Sequence, residues 1–196
     1  STNLEFNTNH LRYVFSSMTQ PRQVIQIDMN SFKKDILKEQ YIEGDFEKSN
    51  YISKRIWVES RDGKKIPVSI LHKKGLGINS QTPLLLYGYG SYGSTIDPSF
   101  SSNILSLIDR GFIYAIAHIR GSEYLGRSWY EDGKMLNKKN TFFDFIDISN
   151  YLIDQNYTSS KHLYAYGGSA GGLLMGFIVN EAPDIYNGVI AAVPFV

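Results

Sequence analysis

The 196-residue sequence has no cysteine, which excludes disulfides, thiolate nucleophiles and cysteine-based metal sites. That lack suits a reducing compartment, and a cytoplasmic location is the expectation. No apolar run approaches the roughly 20 residues of a membrane span. Residues 1–9 lack the basic and apolar regions of a signal peptide. Neither sign of charge is in excess, with 20 Lys and Arg against 19 Asp and Glu and a net charge of +1. This removes the electrostatic footprint of a partner that is nucleic acid or anionic membrane. No cofactor or metal is expected. Histidine is scarce as well: His10, His72, His118 and His162 are all there are.

What is present suits a folded chain. Hydrophobic residues make up 42% and charged ones 20%, enough for a sizeable core in one domain, or in one incomplete domain with an appendage. Up to about residue 72 the apolar residues come in short β-type runs. Leu11-Arg12-Tyr13-Val14-Phe15 and Val24-Ile25-Gln26-Ile27 read as a connected strand pair, separated by a polar stretch containing Pro21. Residues 35–45 are polar enough for a loop or a short strand with turns. The runs around Ile56 to Glu59 and Ile66 to Leu71 flank Arg61-Asp62-Gly63-Lys64, a hairpin signal because Asp-Gly tolerates positive φ.

From Pro83 the pattern becomes strand, helix, strand, helix. Leu84 to Tyr87 and Phe112 to Ala117 read as strands covered on both faces, and His162 to Tyr166 and Val189 to Val193 as further strands. Between them, residues 101–110 and 141–155 carry apolar residues at helical spacing, the second with Thr141 as its cap, and residues 170–181 read as a third helix. This alternation predicts an α/β fold, a parallel sheet with helices on both faces.

Gly167-Gly168-Ser169-Ala170-Gly171 stands where strand turns into helix. A bare Gly-x-Ser-x-Gly arises by chance roughly once in fifteen chains of this length. In the strand–turn–helix setting it is a nucleophile elbow, which holds a serine hydroxyl above the sheet in a strained conformation. Ser169 is therefore the candidate nucleophile. A developing oxyanion needs donors, and the Ala170 N–H, at the head of a helix, is the first. The second is expected in Tyr87-Gly88-Tyr89-Gly90-Ser91-Tyr92-Gly93, at the C-terminal end of the strand that starts at Leu84.

A base is harder to find. In this fold the order is Ser, acid, His, yet every histidine precedes Ser169. His162 begins the same strand and lies roughly 20 Å from its other end. His118 ends a strand on the right edge but reads as a core or surface histidine. After Ser169 the acids are Glu181 and Asp184, and Asp184 suits a helix terminus. Arg120, Glu123 and Arg127 read as structural ion pairs.

Four ordered motifs resemble the prolyl oligopeptidase family: Leu86 to Gly93, Trp129 to Lys134, Lys139 to Phe142, and Gly167 to Gly176. Gly-Gly-Ser-Ala-Gly-Gly favours its oligopeptidase B branch. Residues 11–29 resemble the closing part of the family's β-propeller. The resemblance implies a propeller end over residues 1–50 and a partial α/β-hydrolase catalytic domain over 51–196. It also implies an oxyanion site made by the Ala170 N–H and the Tyr89 hydroxyl. Tyr92 would line the substrate cleft, and Asp97 would match an acid that reads basic side chains. Ser99 stands where some relatives carry a second acid. The loop from Arg120 to Gly126 departs from the glycine-richer family run.

By the same resemblance, the catalytic Asp and His and the residues selecting Arg or Lys match positions beyond Val196. Two alternatives stand beside a peptidase of short peptides. One is a non-catalytic remnant, or a split-protein partner completed by a chain carrying the Asp and His. The other is a general esterase, against which the Tyr89 loop and the propeller-like start both argue.

Overall fold

Two sheets divide the chain. In the computed structural model, which describes residues 3–195, the smaller is an antiparallel meander of β1 (His10–Ser17), β2 (Gln20–Asp28) and β3 (Lys34–Glu39). The two β-type runs pair as their alternation predicts. Pro21 lies inside β2, not in the connection. The ladder slips between Phe15 and Ser17, and that irregularity accommodates a residue with no N–H to donate. β3 supplies the short strand among the polar residues, and all six of its residues are exposed.

The larger sheet contains β4 (Tyr51–Glu59), β5 (Lys65–Lys73), β6 (Leu84–Tyr87), β7 (Ile113–Ala117), β8 (Leu163–Gly168) and β9 (Gly188–Ala192), in the order β4-β5-β7-β6-β8-β9. β4 and β5 form the hairpin signalled by Asp62-Gly63: Gly63 has φ +81°, and its N–H donates to the Ser60 carbonyl at 2.8 Å. β5 meets β7 antiparallel, and β7, β6, β8 and β9 run parallel. The sheet is thus mixed, with an antiparallel hairpin on one flank of a parallel centre.

The pleat sends alternate residues of β7 to opposite faces. Ile113, Ala115 and Ala117 join a core with Leu84, Leu86, Phe145, Ile148 and Leu174. That face is covered by α3 (Lys138–Asp154) and α4 (Ala170–Glu181). Ile116 faces the other way, with Leu71, against Ile108 of α1 (Ser102–Ile108). Met18, at the tip of the first hairpin, completes that second cluster and joins the two sheets.

Two local expectations change. Thr141 does not cap its helix, because α3 starts three residues earlier, at Lys138. Its fully buried hydroxyl lies within reach of the Arg120 and Gly133 carbonyls, at 2.9 and 3.0 Å. Tertiary acceptors have drawn it away from the helix end. A short helix, α2 (Arg127–Glu131), also forms where the sequence shows no helical apolar spacing. Its buried Trp129 donates its indole N–H to the His118 carbonyl at 2.9 Å, so packing on the core holds it.

Candidate active site

Ser169 is the single residue between β8 and α4. It has φ +52° and ψ −117°, outside the regions an L-residue favours, and such a conformation costs about 1–3 kcal/mol. The surroundings hold it there. Its N–H donates to the Ala192 carbonyl at 3.0 Å, and its own carbonyl accepts from Phe195 and Gly172 at 2.8 Å each. Crowding explains the flanking glycines: a Cβ at Gly167 would overlap the Gly171 carbonyl, and one at Gly171 would come within 2.8 Å of the Gly88 carbonyl. The backbone turns back on itself and leaves the serine exposed.

Ala170 is the first residue of α4, so its N–H has no acceptor within the helix. A Cβ at Gly171 would also lie 3.4 Å from the Tyr89 Cα and 3.5 Å from its ring. Tyr89 therefore backs directly onto the first turn of α4. Both features that the oxyanion reading needs, a helix-head N–H and a loop tyrosine, converge at the elbow.

Beside them opens a cavity of about 380 Å³, whose walls include Tyr92, Tyr130, Lys138, Ala170, Leu173 and Phe195. Tyr92 is largely exposed and has φ +56°. Asp97 lies on the segment after the loop, exposed and outside this cavity, and its carboxylate makes no ion pair among the described residues. The structure thus gathers Ser169, Ala170, Tyr89 and Tyr92 at one sheet edge and leaves Asp97 apart from them.

Lys138 is the cavity residue that sequence reading missed. Its ammonium donates to the Gly90 carbonyl at 2.6 Å and to the Ser91 hydroxyl at 2.7 Å. Burial pushes its pKa down to about 8. In sequence it sits in a polar stretch with Lys134, Lys139 and Asn140 and resembles a solvated face. The available signal was its spacing, one turn before Thr141 and Phe142 on a helix whose next turn carries Phe145.

The next loop rests on buried charge. Arg120 donates from its backbone N–H and its guanidinium to Asp144, whose side chain is 0% exposed, and reaches Asp62 at 2.5 Å. Burial alone would lower the Arg120 pKa, but the hydrogen bonds it donates to Asp144 and Asp62 hold it above the ordinary range. Burial would likewise raise Asp62, yet bonds from Ser60 and Arg120 bring it down to about 2. Arg127 pairs with Glu123 and Glu131. All three ion-pairing expectations for this loop hold.

No histidine among the described residues hydrogen-bonds Ser169. His118 is buried, bonds Ser69 at 2.8 Å and stacks on the Tyr124 ring. Desolvation, with Arg55 nearby, pushes its pKa down to about 3, so it stays neutral. His162 meets Gln81, His72 meets the Lys73 carbonyl, and His10 lies 3.8 Å from Asp28. Among the described residues no three His, Asp or Glu side chains gather as a metal site.

Residues 98–196 match the sequence profile of the prolyl oligopeptidase family. The chain belongs to the prolyl oligopeptidase family. Dipeptidyl aminopeptidase BI of Pseudoxanthomonas mexicana is 46% identical over 100% of this chain and 27% of its own length. Protease 2 of Moraxella lacunata is 40% identical, covering 97% of this chain and 28% of the relative. Among solved structures, oligopeptidase B from Leishmania major superposes with a TM-score of 0.91 at 41% identity, over 98% of this chain and 27% of that one. The chain thus spans about a quarter of the length of these prolyl oligopeptidase relatives. The elbow lies within the part matched by the family profile, and the Tyr89 loop lies in the part shared with the relatives.

Proposed function

We propose that this chain carries the nucleophile and oxyanion site of a serine peptidase that cleaves short peptides after Arg or Lys. The observation that carries the reading is the elbow: an exposed serine at φ +52°, followed by a helix-head N–H and backed by Tyr89. Ser169 attacks the scissile carbonyl, and the Ala170 N–H and Tyr89 hydroxyl stabilise the oxyanion of the tetrahedral intermediate. An acyl-enzyme forms as the amine leaves, and water then releases the peptide acid. The base that takes the Ser169 proton, and the acid orienting it, come from sequence outside these residues. His118 is held neutral by burial and engaged with Ser69, so it does not fill that role. The preference for basic residues rests on the kinship with protease 2 and oligopeptidase B, and Asp97 serves a second basic side chain near the cut. Residues 1–50 belong to a propeller domain and 51–196 to the catalytic domain.

A fluorophosphonate probe tests the nucleophile on the full-length protein that contains this sequence. Labelling should be lost in Ser169→Ala, and labelling that survives would assign the nucleophile elsewhere. N-blocked and N-free peptides with Arg, Lys or Pro before the cut then test the substrate. A preference for Pro would overturn the basic specificity. Strict need for a free N-terminus would replace endopeptidase action with dipeptide release, the activity named for the Pseudoxanthomonas relative. The isolated chain, lacking a base, should label no faster than its Ser169→Ala variant.

A further inference from the structure

Tyr89 lies in a loop whose ends are tied to other segments by backbone, while inside it the one backbone bond is local, from the Ser94 N–H to the Ser91 carbonyl at 3.0 Å. At one end the Gly88 N–H donates to the Tyr166 carbonyl of β8 at 3.1 Å. At the other, Gly93 exchanges bonds with the next loop: its N–H donates to Gly121 at 3.0 Å, and its carbonyl accepts from Glu123 at 2.9 Å. Between these ties, Gly90 and Ser91 are held from outside the loop by the Lys138 ammonium. Gly90, directly after Tyr89, has φ +66°, and a Cβ there would overlap the Thr141 methyl. The residue is thus pressed against α3 and pinned to it by a charge-assisted bond, the stronger class of hydrogen bond.

We infer that Lys138 is a positioning residue for the oxyanion site, holding the loop so that the Tyr89 hydroxyl meets the developing charge. This rests on the peptidase reading of Tyr89. Lys138 touches no reacting atom in that scheme and acts through the loop. Its own base is rigid, because α3 is anchored by Phe145 in the core and by Asp144 on Arg120. A half-buried ammonium is costly unless it is hydrogen-bonded, and both bonds shown here go to the loop beside Tyr89. A loosened donor stabilises the transition state less while leaving ground-state binding nearly intact. The effect therefore belongs in kcat.

The test uses the full-length protein with Lys138→Met, Lys138→Arg, Tyr89→Phe and the double variant Lys138→Met/Tyr89→Phe. Lys138→Met keeps the length of the side chain and removes its donors. We expect kcat for peptide cleavage to fall about tenfold with KM within about twofold, since small misplacements near reacting groups cost this much or more. Lys138→Arg should recover most of the loss. The double variant should be no worse than about twofold below Tyr89→Phe alone, because both changes remove one donor's contribution. Losses that multiply would show that Lys138 does not act through Tyr89 and would overturn the assignment.

Hydrogen exchange over residues 88–93 gives a readout independent of activity. Exchange should quicken by about tenfold in Lys138→Met and stay near wild type in Lys138→Arg. Unchanged exchange in Lys138→Met overturns the clamp whatever the kinetics show. Quickened exchange in a protein without serine-dependent cleavage would keep the clamp and sink the peptidase reading.

Discussion

The smaller sheet is built from strands of 8, 9 and 6 residues, and the larger from strands of 4 to 9, yet only the larger has a core. Seven of the nine residues of β5 are buried, and none of β3. Val14, Phe15, Ile36 and Leu37 of the smaller sheet are exposed, whereas Leu84, Leu86 and Ile113 are inaccessible. Backbone ladders run through both sheets, with register shifts in the smaller one, and pairing alone does not make a core. The difference lies in what packs on the faces: α3 and α4 cover one face of the larger sheet, and α1 with Met18 covers part of the other. The active-site candidates follow the same division, since every one lies on the larger sheet or the loops leaving it.

The contrast can be broken or sharpened by local opening free energies from native-state hydrogen exchange in the full-length protein. The largest effect should come from Phe145→Ala, which removes a fully buried ring from α3 and leaves a cavity under β6 and Gly88. A loss of about 3–5 kcal/mol is expected in the opening of β6 and β8. A cost below about 1 kcal/mol would mean that this core is less tightly packed than it looks.

Acid comes next. Folding lowers the His118 pKa from 6.5 to about 3, so as pH falls below 6.5 the unfolded chain binds a proton that the folded chain refuses. Stability is whole above 6.5 and declines toward 3. On the order of 3 kcal/mol should be lost from β7 between pH 7 and pH 4. His118→Asn should flatten that decline across the same window. An unchanged pH profile in the variant would assign the acid sensitivity to other groups.

Met18→Ala should cost about 2–3 kcal/mol although Met18 belongs to the smaller sheet, because its side chain is 3% exposed and lies among Leu71, Ile108 and Ile116. A negligible cost would remove Met18 as the apolar joint between the sheets. Smallest of all, Ile36→Thr on exposed β3 should stay within about 0.5 kcal/mol. A larger loss would show that this face is covered in the full-length protein, and would make the two sheets alike.

Where the sequence is legible, the cause is local. Asp62-Gly63 encodes a turn because Gly63 must take φ +81°, and Gly167 to Gly171 encodes the elbow because no side chain fits at Gly167. The bounds of α4 follow from that turn, while β8 starts one residue later than the His162–Tyr166 run and ends two residues later. What the sequence does not show depends on distant partners. Thr141 looks like a cap until carbonyls from two other loops claim its hydroxyl. Arg120 reads as an ion pair, but nothing local points to Asp144, 24 residues away. β7 inserts between β5 and β6, an order that three neighbouring hydrophobic runs do not specify. Lys138 is the same case at the site: its acceptors lie 47 and 48 residues back, so in sequence it is one lysine among several.

The joint at Met18 also sets how force would travel through the molecule. The smaller sheet grips the larger at Met18, and a second hold is the Phe100 N–H, which donates to the Ser16 hydroxyl at 3.1 Å. Met18 loads β5, β7 and α1, while β8 lies on the far side of β6. The Phe100 bond pulls instead on the segment that runs back through Asp97 to Tyr92. In mechanical terms the first hairpin is a lever with its fulcrum at Met18. The cluster around Met18 also touches Tyr87 of β6, next to the Tyr89 loop, so both holds of the smaller sheet lead to the Tyr89–Tyr92 side of the site.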